Sequence, residues 1–128
     1  MDVFEDLARE KKLTAPIIQA FQAQYGPKFF KALEFLKPDG PKIYKHQFSP
    51  SNLILWVVQG KVKKYLVYPN TYCQCQAFLL NSIYRARQYT PCKHLLAQQI
   101  ASILNQIDVK EHKDSDFKGW IRSFKKLL

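Results

Sequence analysis

A chain of 128 residues that is 47% hydrophobic, 14% aromatic and 23% charged is about one domain's worth of folding sequence, which excludes wholesale disorder and any need for disulfides on grounds of size. Its longest strictly apolar run, Leu53 to Val58, is too short to span a bilayer, and the acidic start Met1-Asp2-Val3-Phe4-Glu5-Asp6 lacks the basic-then-apolar pattern of a secretion signal, so neither a membrane nor a secreted setting is expected. The net charge of +10 is concentrated in residues 41–107, which hold eight Lys and Arg and no Asp or Glu, whereas residues 1–40 sum to zero and residues 108–128 to +2.

Residues 2–12 predict a short amphipathic helix with Val3, Phe4, Leu7 and Ala8 on one side. Thr14 is placed to cap a second helix, from Pro16 onward, with the stripe Ile17, Ile18, Phe21 and Tyr25. Gly26-Pro27 breaks it, and a third helix follows with Phe29, Phe30, Leu33 and Leu36, ending at the turn-rich segment Lys37-Pro38-Asp39-Gly40-Pro41. Beyond Pro41 the period becomes extended. Ile43–Phe48, Leu53–Val58 and Val62–Tyr68 predict strands rich in β-branched and aromatic residues, joined by Ser49-Pro50-Ser51-Asn52 and Gln59-Gly60-Lys61 into an antiparallel meander. Gln74–Ala86 is a candidate helix. Pro91–Ile107 is the strongest one, with Leu96, Ile100, Ile103, Leu104 and Ile107 at helical spacing. Residues 108–128 read as a C-terminal amphipathic helix, formed from Ser115 onward and carrying Phe117, Trp120, Ile121, Phe124 and Leu128. The expected class is α+β, in a single domain of residues 1–128.

The cysteines fall together. They read Cys73-x-Cys75 and, after sixteen residues, Cys92-x-His94, with no other cysteine in the chain. Thiolate and imidazole in a three-to-one ratio suit one tetrahedral Zn2+ in a closed structural site, which leaves no open position for a catalytic water. Residues two apart on a strand share a side, so Cys73 and Cys75 converge if the strand continues past the Pro69-Asn70 turn. Cys92 and His94 converge only where a loop enters a helix, and Thr90-Pro91 is the expected junction, a capping threonine followed by a proline.

Residues 53–107, with the hairpin, Cys73-Gln-Cys75-Gln-Ala-Phe78 and Pro91-Cys92-Lys93-His94-Leu95-Leu96-Ala97, resemble a SWIM-type zinc finger, a C-x-C and C-x-H pattern placed on a ββα unit. The extension from Cys92 through His94 to Ala97 is similar to the form found in the Sws1/Shu2 family, the small SWIM proteins of Shu complexes. The resemblance implies a non-catalytic partner of Rad51 paralogs that promotes Rad51 filament assembly in homologous recombination and DNA repair, in the nucleus of a eukaryote or the cytoplasm of a prokaryote. Within such a finger Lys93 stands between two ligands, where its charge can offset the formal −1 of a zinc held by three thiolates, and the small Ala97 lets the helix approach the strands.

The basic half of the chain supports a second expectation, direct DNA binding by a stand-alone SWIM module of transposase or chromatin type. Lys61, Lys63, Lys64, Arg85 and Arg87 are the candidate phosphate contacts, and Tyr65, Tyr68, Tyr72, Tyr84 and Tyr89 the candidate stacking residues. The plain alternative is a solvated face kept for solubility. Phe117, Trp120, Ile121 and Phe124 form the candidate partner-binding stripe, unless they close the protein's own core. An enzyme is not expected: the pair Cys92 and His94 is needed for zinc, no acidic residue near them in sequence can orient a base, and no glycine-rich phosphate loop exists. His46 and His112 stand isolated along the chain.

Overall fold

The computed structural model describes residues 2–37, 42–60, 63–75, 78 and 91–125, with side chains through residue 123. Helix α1 (Val3–Glu10) starts at Asp2, whose carboxylate accepts from the Phe4 N–H at 2.9 Å, and ends at Lys11 in a left-handed conformation. Helix α2 (Ala15–Tyr25) has Thr14 at its cap position but receives no hydrogen bond from that side chain; Pro16 in the first turn sets its start instead. Gly26, at φ +64°, turns the chain directly into α3 (Pro27–Leu33), a conformation that costs a side-chain-bearing residue. A single 3-10 turn, Glu34–Leu36, closes this helical part.

The sheet follows: β1 (Ile43–Ser49), β2 (Leu53–Gln59), β3 (Lys64–Tyr68) and β4 (Tyr72–Cys73), then helix α4 (Lys93–Leu104), β5 (Asp108–Lys113) and helix α5 (Phe117–Lys125). Strand order is β4-β3-β2-β1-β5. The meander β1 to β4 is antiparallel, as expected, but β5 lies parallel to β1, with Lys110 opposite His46 and His112 opposite Phe48. The reading of residues 108–128 as one helix is therefore corrected: its first six residues are an edge strand, and the helix begins at Phe117. The segment Asp-Val-Lys-Glu-His-Lys carries no apolar alternation because an edge strand exposed at four of its six residues does not require one. The candidate helix Gln74–Ala86 lies mostly outside the described residues.

The sheet separates two packed layers. On one face Ile43, Val58, Val67 and Cys73 meet Leu96, Ala97 and Ala101 of α4 and Phe35 of the N-terminal part. Behind α4, Phe21 stacks on Phe29 at 4.8 Å between ring centres, and both belong with Leu7 and Ile100 to a fully buried cluster that fixes α1–α3 on α4. Each such side chain contributes about 1.5–3 kcal/mol by leaving water. On the other face Phe48, Leu55, Val57 and Leu66 are covered by Phe117 and Trp120 of α5. Asp114 accepts from the Ser51 backbone N–H (3.0 Å) and hydroxyl (2.8 Å), tying the β1–β2 turn to the segment that leads into α5.

Candidate metal centre

The two ligand pairs reach one point from opposite ends of the fold. Cys73 ends β4, the short strand that returns along β3 after the Pro69-Asn70 turn, and Cys75 follows two residues later. Cys92 occupies the cap position of α4 and His94 lies in its first turn. The junction therefore falls two residues later than Thr90-Pro91 suggests: Cys92 itself has the extended backbone of a cap, which frees its side chain to turn towards the same side as His94.

The ligand atoms of Cys73, Cys75, Cys92 and His94 all lie within 4.8 Å of one another, and all four residues are buried. The Cys73 and Cys92 sulfurs are each 3.8 Å from Nδ1 of His94. Bond lengths of about 2.3 Å for Zn–S and about 2.0 Å for Zn–N put tetrahedral ligand atoms about 3.5–3.8 Å apart, so the two sulfur–nitrogen distances are close to those of a zinc cage and the whole set lies within reach of one ion. The Phe78 N–H donates to the Cys75 sulfur at 3.4 Å, a bond that favours the thiolate. Hydrogen bonds from Cys73 and Cys92 hold the Cys75 thiol far below its ordinary range, whereas Cys73 is pushed up by its bonding to Cys75 and Cys92 and by burial. Three sulfurs buried this close together can all be charged only with a cation among them. A single structural Zn2+ held by these four residues satisfies the site.

The surrounding side chains fix the cage. The His94 imidazole lies between the rings of Tyr65, 4.3 Å away between centres, and Phe35, 5.4 Å away and nearly perpendicular. Ala97 is fully buried where α4 meets Val67 and Cys73, a contact that a larger side chain would push open. Lys93 is exposed. A cation from elsewhere in the chain also reaches the ligand loop: Lys28 of α3, whose ammonium donates to the Pro91 carbonyl at 2.7 Å. Burial lowers the Lys28 pKa, and the negative potential of Cys92 opposes that shift. The sequence offered no signal for Lys28, 63 residues away from its acceptor.

Of the phosphate-contact candidates the structure describes Lys63, which is exposed, and Lys64, half-buried on β3; Lys61, Arg85 and Arg87 lie outside the described residues, as do Tyr84 and Tyr89. Tyr65 is packed on His94, Tyr72 on Phe78, and Tyr68 is exposed. Phe117, Trp120 and Ile121 are half-buried, the first two against the sheet, while the Phe124 side chain lies outside the described set. Not one helix among the described residues is long and apolar enough to cross a membrane.

No protein-family model and no solved structure matches the chain. Over 100 residues, 77% of the chain, it is 32% identical to a zinc finger SWIM domain-containing protein 7 homolog of Dictyostelium discoideum. The chain spans 62% of that relative's length. It is also 29% identical over 109 residues, 85% of the chain and 84% of the relative, to an uncharacterized protein of Archaeoglobus fulgidus. The Cys3His cluster, built from a C-x-C pair after a hairpin and a C-x-H pair entering a helix, is consistent with a SWIM-type zinc finger.

Proposed function

We propose that this chain is a non-catalytic, zinc-braced adaptor of the Sws1/Shu2 kind, which binds a Rad51 paralog in a Shu-type complex and promotes Rad51 filament assembly during homologous recombination, in the nucleus where the cell has one. The observation that supports this reading is the buried Cys73, Cys75, Cys92 and His94 cluster in a helix-preceded, single-sheet chain that aligns over most of its length with a SWIM domain-containing relative. A closed four-ligand site supplies architecture, not chemistry, so the zinc serves to hold β4 against α4. Engaging Cys92 and His94 as ligands also removes them as a nucleophile and base, in keeping with a role carried out through surfaces. Purifying the zinc-loaded protein with its partners from its source cells tests the reading: recovery of a RecA-like ATPase supports it, and a stable complex lacking any such protein rejects it.

Direct DNA binding is the second reading, favoured by one observation: eight basic side chains and no acidic one between residues 41 and 107. Binding of that origin loses affinity steeply as salt rises and shows little sequence preference. Charge reversal of Lys61, Lys63 and Lys64 together then reduces the slope of affinity against salt as well as the affinity itself. Undetectable binding at low salt by the zinc-loaded protein assigns the basic half to an acidic partner or to solubility.

A further inference from the structure

The parallel pairing of β5 with β1 brings together residues that are far apart in sequence. His46 of β1 and His112 of β5 meet on the sheet face opposite the cysteine cluster, with Nδ1 of His46 2.9 Å from Nε2 of His112. Lys110 stands opposite His46 in the β1–β5 ladder and reaches over the Tyr44 ring, its Nζ 5.9 Å from the ring centre. Lys64 of β3 approaches from the other side, and Trp120 of α5, 4.9 Å from the His46 ring, forms the roof. These side chains line a groove of about 380 Å³ between the sheet and α5.

We propose that this groove binds a phosphate group, supplied either by a nucleic-acid backbone or by a free phosphate-bearing small molecule. The lining carries two ammonium groups, two imidazoles and the polar ends of Tyr44, Gln59 and Ser123, and among the described residues it contains no carboxylate. Such a wall offers hydrogen-bond donors and positive charge to an oxyanion. Both imidazoles are held in place before any ligand arrives: the His46–His112 bond fixes one against the other, and Phe48 stacks on His112 at 4.8 Å. The groove's size lies within the range of small-molecule sites.

A divalent metal is the competing occupant, because two ring nitrogens 2.9 Å apart can grip one ion. Two observations count against it. Among the described residues the cysteine cluster is the one group of three or more His, Cys, Asp or Glu side chains placed to hold a metal, so the histidine pair lacks a third ligand. The Lys64 and Lys110 ammonium groups also act on His46 as like charges and would act on a metal ion in the same way. The inference does not depend on the zinc or on the partner reading, since the groove lies on the other side of the sheet.

The test uses the full chain loaded with one equivalent of zinc, with imidazole NMR resonances as the readout. Inorganic phosphate and a single-stranded oligothymidylate are titrated separately, and affinity for the oligonucleotide is followed by anisotropy. Shifts of the His46 and His112 resonances with either probe support the site. If the oligonucleotide moves both rings and inorganic phosphate competes with it, the source is nucleic acid; if phosphate alone moves them, it is a small molecule. Lys64→Met with Lys110→Met should weaken the active probe about tenfold or more. Lys118→Met with Arg122→Met removes equal charge from the exposed face of α5 and should cost far less. The proposal is overturned if neither probe moves the rings, if the control pair costs as much as the groove pair, or if the rings respond only to zinc beyond the first equivalent.

Discussion

Lys28 and Pro91 join two distant parts of the fold at the edge of the metal centre: the α3 ammonium donates to the carbonyl immediately before the ligand Cys92. A hydrogen bond from a charged donor, kept half out of water beside a thiolate, positions the ligand loop and offsets the charge that three thiolates bring to zinc. Lys28→Met keeps most of the side chain's length and removes both effects. Zinc affinity, measured by competition with a chelator, should fall about 10–100-fold. Unchanged affinity would show that the bond only holds α3 in place.

Zinc removal should have a larger effect than any substitution outside the cage. The four ligands are contributed by β4 and its extension and by the start of α4, so the ion closes the contact between sheet and helix. Structural zinc contributes on the order of 10–16 kcal/mol in small fingers at neutral pH, comparable to or above the whole stability of a typical domain. Elemental measurement should find one zinc per chain. Cys75→Ser should lower both zinc content and melting temperature, and cobalt substitution should give the absorption of a tetrahedral site with three sulfur ligands. A protein that keeps its melting temperature in excess chelator would sink the structural role.

The histidine pair on the other face sets a pH dependence. Burial, followed by the positive fields of His112, Lys64 and Lys110, pushes the His46 pKa down from 6.5 to about 4. Below pH 6.5 the unfolded chain therefore binds a proton that the folded chain refuses, and stability falls until about pH 4, where the folded form accepts it too. The full shift corresponds to about 3 kcal/mol, and the half-exposed position of the ring reduces this to about 1–2 kcal/mol. Protonation of the zinc ligands adds its own acid sensitivity. The measurement is consequently a difference: denaturant unfolding of wild type and His46→Gln from pH 7 to 4 should show the wild type losing more. Parallel pH profiles would contradict the assignment.

How much of this was legible in the chain depended on whether the signal was local. The ligand spacing, Gly26-Pro27, the β-branched and aromatic runs of β1–β3 and the apolar stripe of α4 are local patterns, and each appears close to its predicted place. The phosphate-contact candidates rested on charge alone, which gives no hint that the fold sets Lys64 of β3 and Lys110 of β5 on opposite sides of one groove. Strand β5 was not legible, because its pairing is supplied by β1 some sixty residues earlier and its own residues are mostly charged. Missing β5 also hid the meeting of His46 with His112, two residues that stand isolated along the chain. Lys28 escaped for the same reason: its partner is a backbone carbonyl brought near only by the packing of α3 on α4.

The C-terminal helix is the remaining element with a measurable role. Its anchors, Phe117 and Trp120, cover the sheet face formed by Phe48, Leu55, Val57 and Leu66, with Phe117 meeting Phe48 edge-on at 5.2 Å. Both anchors are only half-buried, so the helix retains apolar surface while closing its own core. Trp120→Ala should cost about 2 kcal/mol, below the loss for a fully buried tryptophan, and should leave zinc content at one equivalent because the cage lies on the opposite face. Deleting residues 115–128 should lower the melting temperature by about ten degrees or more, since the sheet face loses its cover. The exposed remainder of the stripe is tested with the fold intact: Ile121→Asp, half-buried on the same helix, should lower the melting temperature less than Trp120→Ala. If it also abolishes recovery of a RecA-like partner, α5 is the contact. Full recovery of the complex with Ile121→Asp would move the partner surface to the N-terminal helices around the exposed Phe30.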